Sequence, residues 1–504
     1  MGSIDGRVPL RSVSVDTLIV GGGSAGCALA GRLSEDPHRR VLLLEAGPAY
    51  PDAGSYPAEV RDVASLGGAA DGHALNWAFA TELAAGRRAT TARGRVLGGS
   101  SAINGANHVR ATPADVDGWY GWTWADARAA YVRGEDDHDF DGPEHGHDGP
   151  VPVERPAGEL LAGLTERVVR GARALGVPAE PDKNAGGPPG VGLVPANAVR
   201  GVRVNAAMAY VLPALDRENL TVRGDTPVAR VLLDGTRAVG VLTVDGDRIE
   251  AAEVVLCAGA VKSPQLLALS GIGPADELRA VGVEVLLDRP GVGHGWSDHP
   301  SVFLGFIDDG PLHPAAVSTQ ALVHLDAATL DPTLPSDPAG DLEVLLFCRP
   351  FAPGGARHLM CALQQPESRG TSVLSGADPS VSPRLEHHYL ATALDRARMR
   401  AVVRFAGRLL TSSGLAPAAH PGASDAELDA WIAASLTTSS HLCGSAATGV
   451  ADDPAAVVDP AFRVHGIEGL RVVDTSVLPV VPRRGPAATA LMLGERAAAL
   501  MRAR

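Results

Sequence analysis

Residues 16 to 47, DTLIVGGGSAGCALAGRLSEDPHRRVLLLEAG, constrain the fold more than any other stretch of the chain. Leu18, Ile19 and Val20 form a short apolar run, the pattern of a strand buried on both faces of a parallel sheet. Gly21, Gly23 and Gly26 then fit G-x-G-x-x-G, and Cys27, Leu29, Ala30 and Leu33 continue at helical spacing. Val41 to Leu44 is a second apolar run, with Glu45 at its tip, 19 residues past Gly26. Strand, turn, helix and strand in this order open a doubly wound α/β sheet. The glycines have separate mechanical reasons: Gly21 for the tight turn, Gly23 for close approach of backbone to a pyrophosphate, Gly26 for packing of helix on strand. Ser24 and Ala25 begin the helix, whose unpaired N–H groups and positive dipole end suit phosphate. Glu45, with Ala46 beside it, is placed to accept hydrogen bonds from ribose hydroxyls. A purely structural glycine turn would explain the glycines but not the acid and second strand that accompany them.

A chain of 504 residues exceeds one ordinary core and predicts two or three domains. Its net charge of −14 excludes a nucleic-acid surface, which needs a basic face. No run of about 18 apolar residues occurs, so no membrane span is expected; peripheral membrane contact is left open. The opening residues, MGSIDGRVPLRSVSV, lack the apolar centre of an export signal. Cys27, Cys257, Cys348, Cys361 and Cys443 are odd in number, scattered and without metal-ligand spacing, which fits free thiols in a reducing compartment. A cytoplasmic location is therefore expected.

Ser65 to Gly86 is rich in small residues and reads as irregular. It is followed by RGRVLGGSSAINGANHVR, residues 93–110, whose Gly98, Gly99, Ser100 and Ser101 allow backbone to approach a flat or charged ligand. A tight loop packed on the first domain explains those residues equally well. His138, His145 and His147 stand among acids in DHDFDGPEHGHDGPVP, but the turn residues and irregular spacing favour a solvated loop over a metal site. From Leu220 to Leu256 four strand-like runs (LTVRG, VARVLLDG, AVGVLTVDG, AAEVVLCAGA) predict a small antiparallel sheet inserted before a return strand at Val254 to Gly259. GVGHGWSDHP, residues 291–300, is another glycine-rich turn, with Asp298-His299 in it. Residues 301–430 carry strand-like pieces at Val302 to Phe306, Leu342 to Phe347 and His358 to Leu363, and an amphipathic helix at Arg400 to Leu410.

The C-terminal segment holds the strongest chemical candidate. His441 begins HLCGSAATG, and GLRVVD ends a strand in Asp474 ahead of a turn and a helix. An imidazole, with an ordinary pKa of about 6.5, is the side chain best matched to general base work near neutral pH. Composition alone would leave His441 an ordinary loop histidine.

Taken together, the fingerprint, RGRVLGGSSAIN, VVLCAGAVKSPQLLALSGIGP, PGVGHGWSDHP and VDPAFRVHGIEGLRVVDTSVLP resemble the glucose–methanol–choline oxidoreductases, a flavoprotein family, collinearly over almost the whole chain. The resemblance implies a Rossmann-like, discontinuous FAD-binding domain plus a substrate domain with an antiparallel sheet backed by helices. The expected division is 1–155 and 156–300 for the first two parts of the FAD domain, 301–430 for the substrate domain, and 431–504 for the C-terminal FAD part. By the same resemblance Gly21, Gly23, Gly26 and Glu45 belong to the ADP site. Arg95, Gly98, Gly99, Ser101 and Asn104 run beside the pyrophosphate and flavin ring. Val228 meets the adenine, Ala258 borders the cofactor, and Asp474 lies near the ribityl–pyrophosphate region. His441 matches the family's active-site histidine, which would take or orient the hydroxyl proton of an alcohol while hydride passes to flavin N5.

Three departures stand out. The family pairs this histidine with a second His or Asn, and that place falls on Gly485, 44 residues past His441, which has no side chain. Either His441 acts alone, or Arg483, Arg484 or another residue supplies the contact; Arg484 and Asn104 are the secondary candidates. An arginine could steady an alkoxide-like oxygen but stays protonated and makes a poor base. Leu442, Cys443 and Ser445 replace the usual Pro, aliphatic and Thr. Ile103 occupies the place where some relatives carry a histidine bonded to FAD, so noncovalent FAD is expected unless His108 serves. The GPAAT ending also resembles a subgroup encoded beside mycofactocin biosynthesis, which implies a redox-peptide substrate instead of a free alcohol. A non-redox flavoprotein of the hydroxynitrile lyase type is a further alternative. The alcohol, the electron acceptor (dioxygen, quinone or another) and the oligomeric state are not specified by these motifs.

Overall fold

A computed structural model of the chain describes residues 15–352, 354–418 and 421–503; the reading of the opening residues falls mainly on positions outside this set. Strand β1 (Val15–Val20) leads through helix α1 (Ser24–Leu33) into β2 (Val41–Leu44), as the apolar runs require. The chain returns much later with β3 (Leu220–Arg223), β4 (Val228–Asp234), β5 (Arg237–Thr243) and β6 (Arg248–Leu256), followed by helix α2 (Gly259–Leu269). The sheet order is β3-β2-β1-β6-β5-β4. Strands β3, β2, β1 and the end of β6 are parallel, with Val20 beside both Leu44 and Leu256.

Two details differ from the sequence reading. LTVRG does not join an antiparallel insertion but forms the parallel edge strand β3 beside β2. The last antiparallel strand and the return strand are one: the first half of β6 pairs with β5, and its second half enters the parallel sheet. Local hydrophobic pattern marks a strand without saying which neighbour it will take.

A second sheet is built from β7 (Pro300–Phe306), β8 (Thr319–Leu325), β9 (Leu342–Phe347) and β10 (Arg357–Leu363), in the order β7-β10-β9-β8. All of its pairings are antiparallel, and short strands at Thr437–Thr438 and Val191–Leu193 extend its two edges. Helix α3 (Ala393–Ser412) contains the amphipathic stretch and lays Val402, Phe405, Ala406 and Leu409 on one face of this sheet, against Val344, Leu346 and Cys361. Because side chains alternate along a strand, Leu345, Phe347 and Met360 fall on the other face. That face looks toward the first sheet. Strand β11 (Leu470–Val472) then pairs with β6, and helix α4 (Ala487–Arg502) closes over α1, so tightly that a Cβ at Gly494 would lie 2.4 Å from the Ala25 carbonyl oxygen.

The segment read as irregular contains a strand, Phe79–Ala84, hairpinned to Arg87–Thr91. The acid- and histidine-rich segment is a largely exposed loop, as read, but not at Asp137 and His145. Asp137 and His145 are buried, with Glu135, Arg110, Arg155 and Asp182 around them. His145 Nε2 lies 2.8 Å from Asp182 and its Nδ1 3.1 Å from Asp137. Burial opposes a charge on His145, yet the bonds to Asp137 and Asp182 push its pKa up to about 11. Glu135, Asp137 and His145 bring three potential metal-ligand atoms within 4.8 Å of one another. The two carboxylates are already ion-paired with Arg110 and Arg155, and a protonated imidazole has no lone pair for a metal. His138 and His147 stay partly exposed. All five cysteines are buried and free. Among the described residues no helix is long and apolar enough to cross a membrane.

Candidate active site

A cavity of about 930 Å³ runs between the two sheets, at the upper end of the range for ligand sites. Its inner end is the β1–α1 turn. Gly21 has φ +104°, and a Cβ there would lie 2.5 Å from the Cys257 carbonyl oxygen; at Gly26 it would lie 2.0 Å from that of Gly21. Those two glycines are required by the protein's own packing. Gly23 is different: its added Cβ would meet nothing nearer than Cys257 O at 3.8 Å, although Gly23 borders the cavity. Helix α1 starts there without a side-chain cap, leaving the first amides without intrahelical acceptors beside Ser24 and Ala25 on the cavity wall. A glycine that packing does not require, at an uncapped helix N-terminus on a cavity, fits the diphosphate of FAD.

Glu45 and Ala46 line the same end. Glu45 Oε2 accepts from Gly22 N and Oε1 from Gly47 N, both at 2.9 Å, so the carboxylate braces the turn and keeps a second lone pair on each oxygen. Burial pushes its pKa up to about 7, against the pull of those amides. Val228 lines the cavity beside Thr226 and Pro227. Asp474, two residues past β11, accepts from Gly259 N (2.9 Å) and Ser263 Oγ (2.6 Å) at the start of α2, with Ala258 beside it on the wall.

The 93–110 loop crosses the middle of the cavity. Gly98 N donates to Gly22 O at 2.7 Å, tying this loop to the fingerprint, and Gly99 sits so close that its Cβ would lie 2.6 Å from Gly23 Cα. Ser101 Oγ donates to Gly98 O (2.6 Å) and accepts from Ala206 N (2.9 Å). Asn104 lines the cavity while its Oδ1 accepts from Arg203 Nη1 at 2.8 Å. The Arg95 guanidinium covers the Trp77 ring at 5.2 Å from its centroid. Ile103 lines the wall, whereas His108 is turned to Glu135, 3.9 Å away, and is not part of it. Gly26, Gly98 and Arg484, also selected from sequence, do not line the cavity.

His441 also lines the cavity. Asp298 holds its backbone: one oxygen accepts from His441 N (2.6 Å) and His299 N (2.7 Å), the other from Thr438 Oγ1 (2.8 Å). Burial works to raise the Asp298 pKa, but the His387 ring at 3.3 Å and Arg93 hold it well below the carboxylate range. His441 Nδ1 lies 2.9 Å from His299 Nδ1, with the rings at 89°. Burial lowers the pKa of His441 to about 4, helped by Arg93 and opposed by Asp298. Burial and the neighbouring His441 lower that of His299 to about 3. Both rings are neutral at pH 7. No hydrogen bond engages His441 Nε2 among the described residues. Gly485 faces that edge: an added Cβ would lie 3.2 Å from Cε1 and 3.3 Å from Nε2.

Neither arginine supplies a second contact. Arg483 bonds Asp115 and Asp337, and Arg484, a sequence candidate, is buried against Glu180 at 3.1 Å. The residue that grips His441 is His299, from the glycine-rich turn whose Asp298-His299 pair the sequence marks without giving it a role. The Asp-His dipeptide at its end was the available signal, but nothing local ties it to a histidine 142 residues away.

GMC oxidoreductase family models match residues 15–301 and 366–494. A GMC-type oxidoreductase of the thcA 5' region of Rhodococcus erythropolis is 41% identical over 96% of this chain and 98% of its own. The mitochondrial choline dehydrogenase of Homo sapiens is 34% identical, over 96% of this chain and 89% of its own. The crystal structure of pyridoxine 4-oxidase from Mesorbium loti superposes with a TM-score of 0.88 at 32% identity, covering 97% of this chain and all of that one.

Proposed function

The chain belongs to the GMC oxidoreductase family, and from that premise we propose that it oxidises a small-molecule alcohol with His441 as the base. It is an FAD-dependent enzyme. Bound FAD supplies the hydride acceptor, chemistry that no side chain offers. Gly21, Gly23, Ser24, Ala25 and Glu45 would hold its ADP part, Arg95, Gly99, Ser101 and Asn104 its middle, and Ala258 and Asp474 the segment between. Attachment is noncovalent, consistent with Ile103 on the wall and His108 away from it. Choline and pyridoxine, named for two of the relatives, are both alcohols.

The observation that carries this reading is the pairing of His441 with His299. Two Nδ1 atoms at 2.9 Å share one proton between them. His299 Nε2 is buried without a hydrogen-bond partner among the described residues, with the Gln364 and Pro482 backbones nearby. We assign the shared proton to His441 Nδ1, with His299 Nδ1 as its acceptor. His441 then donates from Nδ1 and keeps a lone pair on Nε2, the edge left bare by Gly485. A neutral imidazole with its lone pair on the cavity side can receive the hydroxyl proton of a carbinol as its hydride leaves. Asp298 fixes the height of the ring through the backbone and stabilises the imidazolium that forms.

The test is anaerobic mixing of purified holoprotein with an alcohol panel. Bleaching of the oxidised flavin's visible absorbance by at least one alcohol is expected, and about 10²- to 10⁴-fold slower bleaching in His441→Ala with the flavin still bound. Equal rates in the variant would remove His441 from the reaction, and a panel without bleaching would support a non-redox flavoprotein.

A further inference from the structure

Away from His441 the cavity wall carries a carboxyl group that the proton transfer does not use. Glu343 stands on β9, on the same face as Leu345 and Phe347 and opposite the residues that pack on α3. It is 5% exposed and lines the cavity. Its Oε2 lies 3.1 Å from His324 Nε2, and no hydrogen bond engages Oε1 among the described residues. Behind it runs a buried series of charges: His324 Nδ1 lies 3.3 Å from Lys183 Nζ, Lys183 is paired with Glu180, and Glu180 with Arg484. These groups orient the acid from the rear and leave its front open.

The acid is on the substrate side of the cavity. Ser439, two residues before His441, touches Met360 Sδ at 3.9 Å; Met360 pairs across the sheet with Leu345; Glu343 is two residues further, about 7 Å along the strand. Its other neighbours on this face of the sheet are apolar, Leu322, Leu345 and Ala362. A nearly buried carboxylate among such residues is expensive unless both oxygens find partners.

We propose that Glu343 Oε1 receives an N–H of a protonated amine on the substrate, so that the enzyme selects alcohols bearing a basic nitrogen remote from the carbinol. This rests on the reading of His441 as the base of an alcohol oxidation. Burial pushes the Glu343 carboxyl up to about 7 while Lys183 pulls it down. A bound ammonium would hold it ionised, so binding near pH 7 releases a proton; His324 and Lys183 are the other titratable groups facing it.

The experiment compares 4-(aminomethyl)benzyl alcohol with 4-methylbenzyl alcohol and the trimethylammonio analogue on holoenzyme under anaerobic conditions. The amine is expected to reduce the flavin with about 10- to 100-fold higher efficiency than the neutral isostere, the worth of a charge-assisted hydrogen bond. The trimethylammonio compound, without an N–H, should fall well below the amine. In Glu343→Gln the ratio of amine to neutral alcohol should approach one. A wild-type ratio near one, an equal trimethylammonio response, or a ratio that survives in the variant would each overturn the proposal while bleaching by the neutral alcohol keeps the parent reading. Binding of 4-methylbenzylamine, which has no carbinol, is followed separately by its perturbation of the flavin spectrum. If it binds neither wild type nor variant, or both equally, the proposal fails even where no alcohol is oxidised.

Discussion

Glycine at 485 leaves the Cε1–Nε2 edge of His441 bare, and His299 grips the ring from Nδ1. That division of labour sets the pH dependence. A base must be unprotonated, and the pKa of His441 is lowered to about 4, so for an alcohol without an amine kcat/KM should stay flat from about pH 5 to neutrality and fall as pH drops through 4. A pH–rate profile bending near 6.5 would mean that the working imidazole is solvated. His299 should matter through the tautomer and not through contact with substrate. His299→Leu, which cannot accept from Nδ1–H, should slow flavin reduction about 10²- to 10⁴-fold, whereas His299→Asn, whose amide oxygen can stand near the lost nitrogen, should recover part of the rate. Equal rates in the two variants would reduce His299 to packing. His441 was legible because a motif surrounds it. His299 and Glu343 were not, since one acts across 142 residues and the other reads in sequence as one acid in an ordinary strand.

Along the β1–α1 element the two kinds of glycine can be separated by experiment. Gly26→Ala drives a Cβ to 2.0 Å from the Gly21 carbonyl oxygen, so α1 must shift from its strand, and a loss of about 1–3 kcal/mol is expected in chemical denaturation of the flavin-free protein. Gly23→Ala meets no protein atom within 3.8 Å and should leave that stability nearly unchanged while lowering the flavin content of purified protein. If Gly23→Ala bound flavin normally, the turn would not carry the diphosphate. This element was readable from sequence because its strand, turn and helix are contiguous and each has its own local pattern. The 137–152 segment is a largely exposed loop, as read, but two of its residues escaped that reading for the opposite reason. Asp137 and His145 look solvated when counted along the chain, but in space Arg110, Arg155 and His145 meet Glu135, Asp137 and Asp182, and mutual neutralisation permits burial.

At the scale of the molecule, the cavity wall draws on residues from Val20 to Ala490 and on both sheets. No contiguous piece of the chain contains the site, so a ligand in the cavity binds the folded state and has little to hold in the unfolded one. Stability should therefore depend on FAD through mass action, by about 2.7 kcal/mol when free FAD is 100-fold above its Kd. Protein stripped of flavin should melt below the holoprotein, and its Tm should climb with the logarithm of added FAD. Because Ile103 offers no nucleophile and His108 is turned to Glu135, acid denaturation should release all the flavin into the supernatant. Flavin that stayed with the precipitate would reveal a covalent bond from a residue outside this reading. A Tm indifferent to added FAD would mean that FAD does not bind the folded state in preference to the unfolded one, and the cavity would then not be its site.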